Sequence, residues 1–171
     1  MKISRETADV LRKALVYFVM IFLVTVFQTS FLAVIEPFGA VPDLVLLFSV
    51  GAGYFCGSLV GGIFGVAAGA MAYTMGGLGA TLMPLFYCAV GAFVGFLVEK
   101  FLAGKFTVWM LYVVAAAAVK GGFSLASIIF MSGDVQFFAA VWRTVILEFV
   151  GTLVLGAIAY IPIKKLSKFL K

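Results

Sequence analysis

The sequence predicts an all-α integral membrane protein, a six-helix transmembrane bundle, and three observations carry that prediction. Apolar residues make up 65% of the 171-residue chain and charged residues 11%, and the mean hydropathy is +1.25. A soluble domain is about half apolar and about a quarter charged, so a water-soluble core could not hide this much apolar surface. The apolar residues also run in long unbroken blocks, whereas a membrane β-barrel needs alternating strands of about 10 residues.

Short turn-forming or charged segments separate the predicted helices. Because about 20 residues cross the hydrocarbon core of a bilayer, we expect one transmembrane domain over 1–171, with spans at 14–35, 42–56, 58–74, 80–98, 106–131 and 140–163. The run from 44 to 73 is too long for one span and short for two, so we place a break at Cys56-Gly57-Ser58.

The basic residues predict the orientation of the chain. Four Lys or Arg lie in the tail 1–13, two in the loop 99–105 and four in the tail 164–171, out of twelve in all. Cytoplasmic segments carry the excess of Lys and Arg, so both termini and the 99–105 loop are expected in the cytoplasm. The region 41–74 then either crosses twice or forms a re-entrant hairpin.

The chain contains no histidine, which excludes Ser-His-Asp triads, Cys-His nucleophiles and imidazole metal sites. The sequence also lacks the GxxxxGK[ST] phosphate loop. We therefore expect no catalytic, cofactor-binding or metal-binding residues. The net charge of +5 is expected to encode membrane orientation and not a nucleic-acid partner.

Glycine recurs at every fourth position at Gly53, Gly57, Gly61, Gly65 and Gly69. On a helix this spacing forms a glycine stripe, free of side chains, that lets two backbones approach closely in lipid. Two interpretations remain open. The glycine stripe either packs inside the bundle or forms a docking groove for a helix of another subunit.

Lys120, Glu148 and Arg143 form a predicted intramembrane polar cluster. At a rise of 1.5 Å per residue, Lys120 lies about 21 Å from the cytoplasmic start of its span and Glu148 about 22 Å from the cytoplasmic end of its own. We expect the two to face each other, as a structural ion pair, a substrate-binding or coupling site, or a partner contact. No second carboxylate is expected at that depth. Arg143 is expected at the outer boundary, near Asp43, Asp134 or a lipid phosphate.

Pro42 and Asp43 are expected to open the second helix on the outer side of the membrane. Proline fits the first helical position, and an aspartate there meets the positive end of the helix dipole. Shortly before them, Phe27-Gln28-Thr29-Ser30 ends the first helix.

These ordered features resemble the rod-shape-determining MreD family of six-helix inner-membrane proteins. The resemblance spans nearly the whole chain and rests on Phe27-Gln28-Thr29-Ser30, Gly39-Ala40-Val41-Pro42-Asp43-Leu44, the Gly61/Gly65/Gly69 hairpin and Gly76-Gly77-Leu78-Gly79. The family pattern has an aspartate four residues after the last glycine of the hairpin. That position is Tyr73 here, so the role of the acid cannot be carried over.

The resemblance implies a non-enzymatic subunit of the cell-wall elongation machinery, which supports peptidoglycan synthesis and cell shape. The implied partner is MreC, through its membrane helix and periplasmic part, with peptidoglycan synthases and MreB filaments in the same assembly. The alternative is the substrate-binding subunit of an energy-coupling-factor vitamin transporter, which has a similar six-helix architecture. In that case Lys120, Glu148 and Arg143 would line the vitamin pocket.

Overall fold

The computed structural model describes residues 5–36, 39–76, 83–100, 105–132 and 135–170. Every regular element in these ranges is helical, which confirms the all-α prediction. The elements are α1 (Arg5–Val26), a π-helical turn (Phe27–Leu32), α2 (Ala33–Ile35), α3 (Leu44–Cys56), α4 (Ser58–Gly76), α5 (Met83–Lys100), α6 (Phe106–Ser132) and α7 (Val135–Leu170).

Five helical segments in the described ranges are long and apolar enough to cross a membrane. They are Val16–Ile35, Ser58–Met75, Met83–Lys100, Phe106–Ala126 and Val141–Lys168. Large apolar side chains on their surfaces are open to the surroundings, such as Leu59 at 75% and Leu85 at 66% exposure. Helices of this kind belong to a multi-pass membrane protein, because lipid and not water stabilises such a surface.

Helix α3 differs from the others in length and position. Its 13 residues extend about 20 Å, which is short of the ~30 Å hydrocarbon core. The predicted span 42–56 is therefore not long enough to cross alone. Helix α3 contacts α1, α4, α5, α6 and α7, and Val45, Leu47 and Val50 are fully buried. A helix enclosed by protein need not match the thickness of the lipid.

The α3–α4 hairpin turns at Gly57, where the sequence places the break. Its φ of +98° lies in the region that glycine adopts without steric cost. The Ser58 backbone N–H donates to Glu99 Oε1 at 2.9 Å, and the Tyr54 hydroxyl donates to the Lys105 carbonyl at 3.0 Å. The turn therefore lies beside the end of α5 and the start of α6.

The first and last helices extend into the segments expected to be tails. Helix α1 begins at Arg5, within 1–13, and α7 continues to Leu170, through most of 164–171. Ser167 is buried whereas Lys164 and Lys168 are exposed, so one face of the last turns packs on the bundle and the other carries the charges. The expected turns at 77–79 and 133–134, and loop residues 101–104, lie outside the described residues.

Candidate functional site

The first turn of α3 begins inside the bundle, and hydrogen bonds from distant segments satisfy its polar groups. Asp43 is the N-cap, and its Oδ1 accepts from Leu46 N–H at 2.8 Å. Gln28 Oε1 accepts from Val45 N–H at 2.8 Å, and Asp43 N–H donates to Thr152 Oγ1 at 3.0 Å. The first N–H groups of a helix have no acceptor within the helix, and lipid supplies none. These bonds therefore allow a helix to begin inside the bundle.

Gln28 reaches α3 from the π-helical turn that follows α1. Single π-helical turns within helices are rare and are frequently found at functional sites. Within the same turn, Thr29 Oγ1 donates back to the Thr25 carbonyl at 2.9 Å, a bond that often bends helices. Because Gln28 accepts the Val45 N–H in the first turn of α3, the segment around Gln28 lies next to the segment that contains Pro42 and Asp43.

Lys120 on α6 lies between two carboxylates. Its Nζ forms ion pairs with Asp43 Oδ2 and with Glu148 Oε1 on α7, so the predicted Lys120–Glu148 contact is present. The Tyr87 hydroxyl on α5 donates to Asp43 Oδ2 at 2.7 Å. The exposed fraction of the side chain is 1% for Asp43, 15% for Lys120 and 27% for Glu148. We call Asp43, Tyr87, Lys120 and Glu148 the ion network.

Two predictions about this region are wrong, and one of the partners expected for Arg143 is excluded. Asp43 is a second carboxylate at the level of Lys120, because α3 is short and begins inside the bundle. Asp43 therefore pairs with Lys120 and not with Arg143, whose side chain is exposed. Pro42 precedes the N-cap, and the first helical residue is Leu44. Asp134, another partner expected for Arg143, lies outside the described residues, and a lipid phosphate stays a prediction.

A small cavity adjoins the ion network. It has a volume of about 10 Å³ and is bordered by Ser124, Val145 and Phe149 as well as by the charged side chains. That volume holds about one water molecule, whereas small-molecule sites are typically about 300–1,000 Å³. In this conformation the site has no room for a vitamin.

The glycines predicted to form one stripe divide between two helices. Gly57 is the turn residue, so Gly53 on α3 faces Gly61 on α4. A Cβ built on Gly61 would lie 2.5 Å from the Gly91 carbonyl oxygen and 2.6 Å from Gly53 Cα. Further along α4, Gly65 and Gly69 contact the backbone of α5 at Tyr87 and Pro84. Helix α5 covers this surface, which favours packing within the bundle over docking of another subunit.

Several residues that position the site were not predicted from the sequence. Tyr87 and Thr152 belong to the capped start of α3, and Trp109 is fully buried with its indole N–H donating to the Gly156 carbonyl at 3.0 Å. The sequence feature that could have identified these residues is a polar group within each apolar span, because buried polar groups require hydrogen-bond partners. Tyr73, where the family pattern has an acid, is 40% exposed on α4.

A second concave surface lies between α5 and α6. This α5–α6 groove has a volume of about 530 Å³, and its walls include Phe93, Leu97, Leu111 and Val119. Phe86 of α5 and Phe123 of α6 stack with ring centroids 5.9 Å apart, which joins the two helices at one end of the groove. Its apolar walls suit acyl chains or an apolar helix.

No protein-family model, curated protein or solved structure matches the chain. A function must therefore be inferred from the ion network, the covered glycines and the surfaces that face lipid.

Proposed function

We propose that the chain is a non-enzymatic subunit of the bacterial cell-wall elongation machinery, an MreD-like protein that binds MreC through its helix faces. In this role it supports peptidoglycan synthesis and the maintenance of cell shape. The observation that carries the proposal is the convergence of Gln28 and Asp43 on one helical turn. These residues come from two separate segments of the family resemblance, and they bond Val45 N–H and Leu46 N–H at 2.8 Å each.

The chemistry of the ion network supports a structural role over a catalytic one. Both oxygens of Asp43 are already engaged, by Leu46 N–H on one side and by Tyr87 and Lys120 on the other. A general base must reach the proton that it removes from a substrate, and a cavity of about 10 Å³ admits none. The network is therefore suited to fixing the position of α3 among α5, α6 and α7.

The basic residues support an inner-membrane orientation with both termini in the cytoplasm. The end of the bundle that contains Glu99, Lys100 and Lys105 is then cytoplasmic. The first turn of α3 lies towards the outer side, and residues 39–43 together with α3 complete the sixth crossing. Partners such as MreC meet this chain mainly at helix faces, because little of it lies outside the membrane.

The proposal is tested by purifying the tagged full-length chain in a mild detergent, followed by mass spectrometry of the co-purifying proteins and small molecules. If the proposal is correct, the chain should co-purify with a single-pass partner that has a coiled-coil segment. Co-purification of a tightly bound vitamin without such a partner would contradict the proposal and favour the transporter subunit instead. Cysteines placed in the 99–105 loop should react only with a reagent that enters the cytoplasm, and labelling from the periplasm would contradict the orientation.

A further inference from the structure

The ion network contains one more negative charge than positive charge. Lys120 is its cation, and Asp43 and Glu148 are its two acids. Tyr87 adds a hydroxyl group, which carries no charge. Both salt bridges found in the described part of the chain involve Lys120, so the surplus is not balanced there. An uncompensated charge at this depth in a membrane is costly, and charged groups inside membranes pair with one another.

The surplus charge lies on Glu148 because Asp43 is already fully bonded. Asp43 is 1% exposed, and its oxygens contact Leu46 N–H, the Tyr87 hydroxyl and Lys120 Nζ. The Glu148 side chain is 27% exposed and contacts Lys120 through Oε1. Among the described residues, no ion pair or hydrogen bond is found at the second carboxylate oxygen of Glu148, which leaves that oxygen available to a group from outside the bundle.

We propose that Glu148 is the contact point for a transmembrane helix of a partner subunit that carries one Lys or Arg at the depth of the ion network. A second cation would balance the two acids, so complementary charge selects the occupant. A phosphate group is disfavoured because it would add a further negative charge. The inference rests on the proposed function for the expectation that the partner is a single-pass protein.

The surface beside Glu148 is accessible to such a helix. Thr144 lies one helical turn earlier on the same face of α7, since four residues advance the helix by slightly more than one turn, and Thr144 is exposed. The glycines on α4 are already covered by α5, and the α5–α6 groove is lined by apolar residues that would not select a cation.

A photo-crosslinking residue at position 144 of the full-length chain, in its native membrane, tests the inference. The expected product joins position 144 to a single-pass protein with a Lys or Arg in the outer half of its helix. Glu148→Gln should lower the yield about threefold to tenfold, the range for interhelical polar contacts in membranes. Arg143→Gln is the matched control, because it removes an exposed charge from the same helix, and it should leave the yield unchanged.

Charge exchange then separates an ion pair from simple proximity. Changing the partner's basic residue to Glu should abolish the crosslink, and Glu148→Lys on this chain should restore it. Glu148→Asp retains the charge and should retain the crosslink, which provides a second comparison if Glu148→Gln unfolds. Thermal unfolding of each variant identifies losses caused by misfolding.

Three results would overturn the inference: crosslinks from position 144 to lipid alone, a captured helix without a basic residue at that depth, or an unchanged yield with folded Glu148→Gln. A crosslinker at position 93, in the α5–α6 groove, distinguishes this failure from failure of the proposed function. Capture of MreC from position 93 and not from position 144 would support the proposed function and overturn the inference. Capture at position 144 of a single-pass helix that carries a basic residue but does not belong to MreC would support the inference and contradict the proposed function.

Discussion

Asp43 and Lys120 form an ion pair that ties the N-cap of α3 to α6. One carboxylate thus serves two purposes: Oδ1 satisfies a helix N–H, and Oδ2 holds an ammonium group inside a membrane protein. Because α3 contacts all the long helices around it, fixing its first turn fixes the relative positions of those helices. Substitutions at Asp43 should therefore affect the stability of the whole bundle.

Asp43→Ala should destabilise the protein more than Asp43→Asn does. Asparagine can still cap Leu46 N–H and leaves Lys120 balanced by Glu148, whereas alanine removes the cap as well. We expect a difference of about 1 kcal/mol in the free energy of unfolding, the usual value of an N-cap. Unfolding in mixed micelles measures it, with Arg143→Gln as a control. Equal stability of the two Asp43 variants would show that the cap contributes nothing.

Gly61→Ala should be strongly destabilising, while Gly122→Ala should be neutral or slightly stabilising. A Cβ on Gly61 would collide with the backbone of Gly91 and Gly53, whereas a Cβ on Gly122 would meet no atom within 4 Å. Since glycine inside a helix costs about 0.5–1 kcal/mol relative to alanine, any effect at Gly122 should favour folding. Thermal denaturation in detergent compares them, and similar losses at both positions would contradict the close packing of α4 on α5.

Glu99→Ala should loosen the α3–α4 turn, while Glu99→Gln should preserve it. The Glu99 carboxylate accepts the Ser58 N–H at 2.9 Å, and a glutamine carbonyl can do the same. The alanine variant should lose about 1 kcal/mol, the typical net contribution of one hydrogen bond. Hydrogen exchange at the first turn of α4 should rise for alanine alone. If both variants exchange alike, the carboxylate does not cap this turn.

The sequence predicts contacts along long helices better than it predicts where a short helix begins. The Lys120–Glu148 contact follows from counting residues along two helices joined by a short turn, because helical rise is constant. The depth of Asp43 does not follow from such a count. It depends on α3 being only 13 residues long and surrounded by other helices, and these features arise from packing.

The glycine pattern shows the same limit. A four-residue period predicts one continuous surface, and it correctly indicates close helix packing. Gly57, however, has a φ of +98° and reverses the chain, so Gly53 and Gly61 meet across two helices. Residue type does not distinguish a glycine that allows close approach from one that allows a turn.

The most direct test of the ion network as one structural unit compares Lys120→Met with the triple variant Asp43→Asn/Lys120→Met/Glu148→Gln. The single substitution leaves two acids without a cation, so it should cost about 3–5 kcal/mol of unfolding free energy. The triple variant removes all three charges and should recover most of that loss. Equal instability of the two variants, or a single variant as stable as the unchanged protein, would contradict the account.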